Sequence, residues 1–180
     1  MCENQDYRLV YGSDSWGIAV RQVPKIIELE AKLLVGISME MSRMADRTPD
    51  LWRSFMPRRS EVKARSSTDY MSMQVYPGGA DQVADPSALF TKWAVGEVVV
   101  RDTMPAGMSP YDLAGGLYAM FVHNGPATDL STFASIFTDW LPNSDFVLDD
   151  REHFEVLPAD YKPMDPNARE EIWIPVRPLV

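Results

Sequence analysis

Glu171 and Trp173 stand two residues apart in the stretch EEIWIPV, and an extended backbone would set that carboxylate and indole side by side on one face. Ile172, Ile174 and Val176 then line the other face, so the pattern predicts a strand with one aliphatic side and one side carrying Glu171, Trp173 and Pro175. A carboxylate buried alone costs several kcal/mol, so it holds a proton or awaits a cation. A ligand cation about 4 Å away gains about 4 kcal/mol at an effective dielectric of about 20, before desolvation is subtracted. Each indole face adds about 0.5–2 kcal/mol through cation–π attraction. These terms suffice for micromolar capture of a flat, lipophilic cation. The alternatives are a Glu171 that faces solvent on an edge strand, or one paired with Arg101 or Arg177.

A second pair follows the same rule. In KWAVGEVVV, Trp93 and Glu97 share strand parity and should point the same way. Tyr76, Tyr118, Met120 and Phe121 complete the expected lining of a ligand groove, the thioether of Met120 suiting varied ligand shapes. Trp52, Phe55, Phe137 and Trp140 fall at helical spacing and are expected in the core. No metal or cofactor is expected. The two histidines, His123 and His153, lack partners at ligand spacing and are expected at the surface or in turns. GSDSWG has Ser13 where a nucleophile elbow needs its first glycine, PGG and AGG are turns, and MPRRSEVKAR reads as a solvated loop.

The chain of 180 residues, 46% hydrophobic and 11% aromatic, has the composition of a folded domain. A net charge of -9 argues against non-specific binding to nucleic acid or anionic membranes, since both require a positive surface. The single cysteine, Cys2, excludes an internal disulfide. MCENQDYRLV carries no signal-peptide pattern, and no apolar run approaches the roughly 20 residues that span a bilayer. A cytoplasmic protein without membrane contact is expected.

The elements that must position these residues come in two similar halves. Residues 1–25 are expected as an N-terminal extension whose Trp16 could lid a groove. Strand-like alternation begins at KIIELEAKLLVGISMEMS; DLWRSFMP reads as a helix closed by Pro57; TDYMSMQV and KWAVGEVVV read as strands. After a Gly/Pro-rich linker from Met104 to Pro110, GGLYAMFVHNG is a strand, DLSTFASIFTDWLP a helix, and HFEVLP and EEIWIPV strands. Leu51 stands over Ile136 and Pro57 over Pro142 at one separation, with Leu33 over Leu117 one residue short of it. Aligning the last strands sets Glu97 over Glu171. The expected fold is therefore α+β: two pseudo-symmetric β-α-β-β units, about 26–103 and 112–180, forming antiparallel sheets around a central ligand groove.

DLWRSFMPRR, FTKWAVGEV, GGLYAMFVHNG, FTDWLPNS, FEVLPADY and EEIWIPV occur in the order and approximate spacing of the GyrI-like domain. Across roughly residues 26–176 the chain resembles this family, also known as the effector-binding domain of AraC- and MerR-type bacterial regulators. The resemblance implies a small-molecule pocket between the two units, in which Glu171 matches an acidic position that receives lipophilic cations and Trp173 an aromatic one. It favours the pocket over an exposed or paired Glu171. Some relatives resemble hydrolases of cyclopropane-bearing toxins; in such an enzyme Glu171 would act as general base and Tyr118 or Tyr76 as proton donor. With only polar residues ahead of the domain, direct DNA binding is not expected. A protein partner or a homodimer would then carry the signal, and a protein-interaction module is the third alternative.

Overall fold

The computed structural model describes residues 22–101 and 104–179, so the expectations for residues 1–21, Trp16 included, lie outside the described residues. The first unit runs β1 (Lys25–Leu29), β2 (Lys32–Met41), α1 (Thr48–Phe55), β3 (Arg65–Val75) and β4 (Phe90–Val98). The second runs β5 (Ser109–Leu113), β6 (Gly116–Asn124), α2 (Ser131–Ser135), β7 (Phe146–Leu148), β8 (His153–Leu157) and β9 (Arg169–Pro178). The strands join in one antiparallel sheet in the order β1-β6-β9-β8-β3-β4-β2-β5, with β7 continuing beside β9. A pseudo-twofold relation runs between β3 and β8, the innermost strands of the two units. Three short strands were not separated by sequence: β1, which pairs with β6; β5, which begins inside the expected linker; and β7.

Cross-strand register sets both helices on one face. Ile172 pairs with Glu155, Glu155 with Ser72 and Ser72 with Ala94, so all four side chains leave the same side of the sheet. Ala94 lies in the cluster under α1 with Leu51, Phe55, Val35 and Tyr70, whereas Ile172 lies under α2 with Ile136, Phe121, Ile174 and Val176. Trp52, Phe137 and Trp140 pack against these cores as expected. Pro57 follows the end of α1 by two residues, and the chain tightens there into a 3₁₀ turn, Met56–Glu61. The second helix is less regular: α2 passes into a wide π-type turn, Ile136–Trp140, and then a 3₁₀ turn, Leu141–Asn143.

The other face is concave. The sheet curls into a half-barrel and brings Leu29 of edge strand β1 and Leu113 of edge strand β5 into one cluster with Leu34, Met71, Met73, Val95, Tyr118 and Phe154. Glycine permits two close approaches of backbone to backbone. A Cβ on Gly36 would meet the Ala94 carbonyl oxygen at 2.0 Å, and one on Gly115 would meet that of Leu29 at 2.5 Å.

The registers also correct one alignment. With Leu34 matched to Tyr118, the partner of Leu34 is Glu97 but that of Tyr118 is Pro175. Glu97 therefore corresponds to Pro175, and Trp93, four residues earlier, to Glu171. The repeats differ in loop length before their last strands, and sequence alone could not count across that difference.

Candidate ligand groove

Glu171 lies on the concave face of an interior strand, opposite Val122 of β6 and Val156 of β8. It is half-buried, and its Oε2 accepts a hydrogen bond from Trp173 Nε1 at 3.1 Å. Neither arginine considered above takes it: Arg101 pairs with Asp112, and among the described residues no cationic side chain pairs with Glu171. The alternation of EEIWIPV thus holds, and the carboxylate orients the indole beside it.

Trp173 stacks on Phe154 with ring centres 5.4 Å apart and planes 15° apart, and Tyr118 meets Trp173 edge-on at 6.1 Å and tilts against Phe154 at 5.3 Å. Such arrangements add about 0.5–1.5 kcal/mol per pair beyond burial. Across the groove Trp93, opposite Met73, tilts against Tyr111 at 5.1 Å. Met120 lies beside Trp173 on the same face. Glu97 also faces the groove, where Lys32 Nζ neutralises it at 2.9 Å. Trp93, Trp173, Tyr111 and Val156 remain half-exposed over a floor of buried Leu34, Met73, Val95 and Tyr118, which makes an aromatic surface open to a flat molecule.

Two expected lining residues lie elsewhere. Phe121 follows Met120 in a strand and points the opposite way, into the α2 core against Trp140 at 5.1 Å. Tyr76 packs on Phe90 and His153 on the helix side, its hydroxyl donating to Gln74 Oε1 at 3.0 Å. Phe121→Leu is expected to cost about 1 kcal/mol of stability in a thermal melt yet keep ligand affinity within twofold; a fivefold loss of affinity would return Phe121 to the groove.

Sequence reading missed Tyr111, Phe154 and Glu152. Glu152 precedes β8 and is only 8% exposed; its Oε1 accepts the Tyr111 hydroxyl at 2.7 Å. Its Oε2 and the Tyr118 hydroxyl are both buried without a hydrogen-bond partner among the described residues. Burial first, then the Glu152 carboxylate, pushes both tyrosine hydroxyls well above the ordinary tyrosine value, so each keeps its proton and can donate. The histidines also depart from expectation: both are buried in strands. His123 Nδ1 sits 2.9 Å from Thr132 Oγ1, and burial alone pushes the His153 imidazole down to about 4. A shallow, open depression lies apart from the groove, beside Arg65–Thr68, Tyr70 and Ala159. Tyr70 belongs to the helix-side core.

The comparisons agree with this architecture. Residues 22–177 match the model of the GyrI-like small molecule binding domain. The transcriptional regulator BrlR of Pseudomonas aeruginosa is 26% identical over 156 residues, covering 84% of this chain and 54% of that protein. The chain thus spans about half the length of that regulator. Among solved structures, SAV2435 bound to tetraphenylphosphonium aligns with a TM-score of 0.60 at 13% identity, over 86% of this chain and 93% of that one. A hydrolase from Listeria innocua encoded by lin2189 aligns with a TM-score of 0.55 at 11% identity, over 89% and 94%. With a family match across nearly all of the half-barrel, and that half-barrel built from paired units, this chain belongs to the GyrI-like small-molecule binding domain family.

Proposed function

We propose that the concave groove binds lipophilic organic cations, with Glu171 as counter-charge and Trp173, Phe154, Tyr118 and Trp93 as the aromatic walls. The observation that carries this is a half-buried carboxylate on an interior strand, without a cationic partner among the described residues, beside a stacked aromatic shelf. The tetraphenylphosphonium bound to SAV2435 supports the ligand class. The site would work in the cytoplasm, and a protein partner or a second copy of the chain would pass on its occupancy.

Titration of tryptophan fluorescence with tetraphenylphosphonium is expected to show saturable quenching in the micromolar range. The neutral triphenylphosphine oxide should bind at least tenfold more weakly. Equal binding of the two would remove charge from the account.

The Tyr118 hydroxyl, protonated and without an acceptor among the described residues, favours a second function on the same groove. In a hydrolase, Glu171 would activate water against a strained or electrophilic substrate and Tyr118 would protonate the leaving atom. Mass-spectrometric gain of one water by a strained-ring substrate, lost in Tyr118→Phe, would establish it; no conversion over a day would exclude it for that substrate.

A further inference from the structure

Glu97, Glu152 and Glu171 all stand among the aromatics of the concave face, but among the described residues only Glu97 is neutralised there, by Lys32. Glu152 is the most buried of the three. The cation next to it in sequence, Arg151, acts on the Tyr118 hydroxyl but makes no ion pair with Glu152 among the described residues. Arg151 lies over the Tyr118 ring at 4.6 Å, while its N–H groups donate to Asp149 and to the carbonyl oxygens of Gly115, Leu117 and Val176. What remains, among the described residues, is a buried carboxylate oxygen without a donor, near a buried Tyr118 hydroxyl that feels both Glu152 and the Arg151 guanidinium. The carboxylate oxygen can only accept, so it lacks a donor, and an unmet buried polar atom is costly.

The spacing of this place from Glu171 follows from the sheet. Val156 of β8 is opposite Glu171, and Glu152 lies four residues before Val156, about 13 Å along an extended chain. Phe154, stacked on Trp173, stands between the two carboxylates, with Tyr118 against both rings. The concave face thus carries an acidic pole, an aromatic shelf and a second acidic pole.

We infer that Glu152, with Tyr111 and Tyr118, forms a second cation-binding pole, and that the groove takes elongated dications whose far end is an ammonium or amidinium group. This rests on the cation-binding function proposed above. A quaternary centre satisfies Glu171 by charge alone, whereas Glu152 Oε2 calls for an N–H donor.

Calorimetric titration of the full chain with α,ω-diaminoalkanes of six to fourteen carbons, each against the n-alkylamine of equal length, tests it. The ten-carbon diamine, whose extended span matches about 13 Å, is expected to bind at least tenfold more tightly than its monoamine, with weaker gains on either side. Glu152→Gln should bring the pair to within twofold, and Tyr111→Phe, which removes only the hydroxyl that fixes Glu152, should roughly halve the gain on a logarithmic scale. The length series in the parent keeps the test valid should Glu152→Gln fail to fold. Equal affinities for diamine and monoamine, or a gain that rises steadily with length, would overturn the second pole. Tetraphenylphosphonium separates the two ideas: if it binds while diamines gain nothing, only the second pole falls, and if it too fails to bind, both fall.

Discussion

Glu171→Gln is expected to weaken tetraphenylphosphonium binding about 30-fold while leaving triphenylphosphine oxide within twofold. The phenyl groups hold the phosphonium charge about 5–6 Å from any carboxylate, where attraction is about 3 kcal/mol at an effective dielectric of about 20. Partial desolvation of the carboxylate leaves about 2 kcal/mol, the equivalent of that 30-fold change. Glutamine is chosen because its amide oxygen can still accept from Trp173 Nε1, so the indole keeps its place on Phe154. The two ligands then separate charge from shape. A matching loss for the neutral compound would mean that the shelf had moved, and a loss under threefold would put the cation elsewhere.

The residues of the candidate groove differ in how plainly the sequence announces their placement. Glu171 and Trp173 are legible because strand alternation is a strict period of two and the aliphatic half of EEIWIPV has a core to face. The same rule forbids Met120 and Phe121 from sharing a face, and the structure divides them accordingly. Trp93 and Tyr118 follow from parity as well. Tyr76 does not, since it lies just past the end of β3, where alternation no longer governs direction.

Glu152 was illegible for a different reason. It sits in the charged run DDREHFEV, which in composition is a solvated loop. Only the curl of the sheet, which carries β5 round to the start of β8, delivers Tyr111 to its carboxylate. Long-range closure of this kind leaves no mark on local pattern. The two histidines repeat the lesson: spacing spoke against metal ligation but said nothing about burial, and both became interior residues of the helix side.

That helix side carries the largest expected effect on stability. Lys92, 4% exposed on β4, lies 3.5 Å from Glu155, while Glu170 on β9 is 6% exposed. Burial raises the Glu170 carboxyl above its usual range; the neighbouring Glu155 adds to this, while Tyr161, His123 and Lys92 oppose it. The Tyr161 hydroxyl lies near Glu170 without completing a hydrogen bond. Lys92→Met keeps a long apolar stem but leaves two carboxylates facing each other behind the sheet. Breaking a buried pair in this way costs about 3–5 kcal/mol, and the partial exposure of Glu155 favours the lower figure.

The cost must depend on pH. A carboxyl whose folded value is raised costs stability above that value and recovers it as pH falls toward its ordinary 4.5, because the folded state then holds the proton. His153 works in the opposite sense: lowered from 6.5 to about 4, it binds its proton more readily unfolded, so the fold loses stability as pH falls through that window. The imidazole acts on parent and variant alike and cancels in their difference. Urea unfolding should therefore show Lys92→Met about 3 kcal/mol below the parent at pH 7.5 and within about 1 kcal/mol of it at pH 4.5. A deficit that stayed constant across that range would assign the role of Lys92 to packing. Adding Glu170→Gln at neutral pH supplies the converse: it should return most of the loss, since one carboxylate left beside an amide has no like charge to repel.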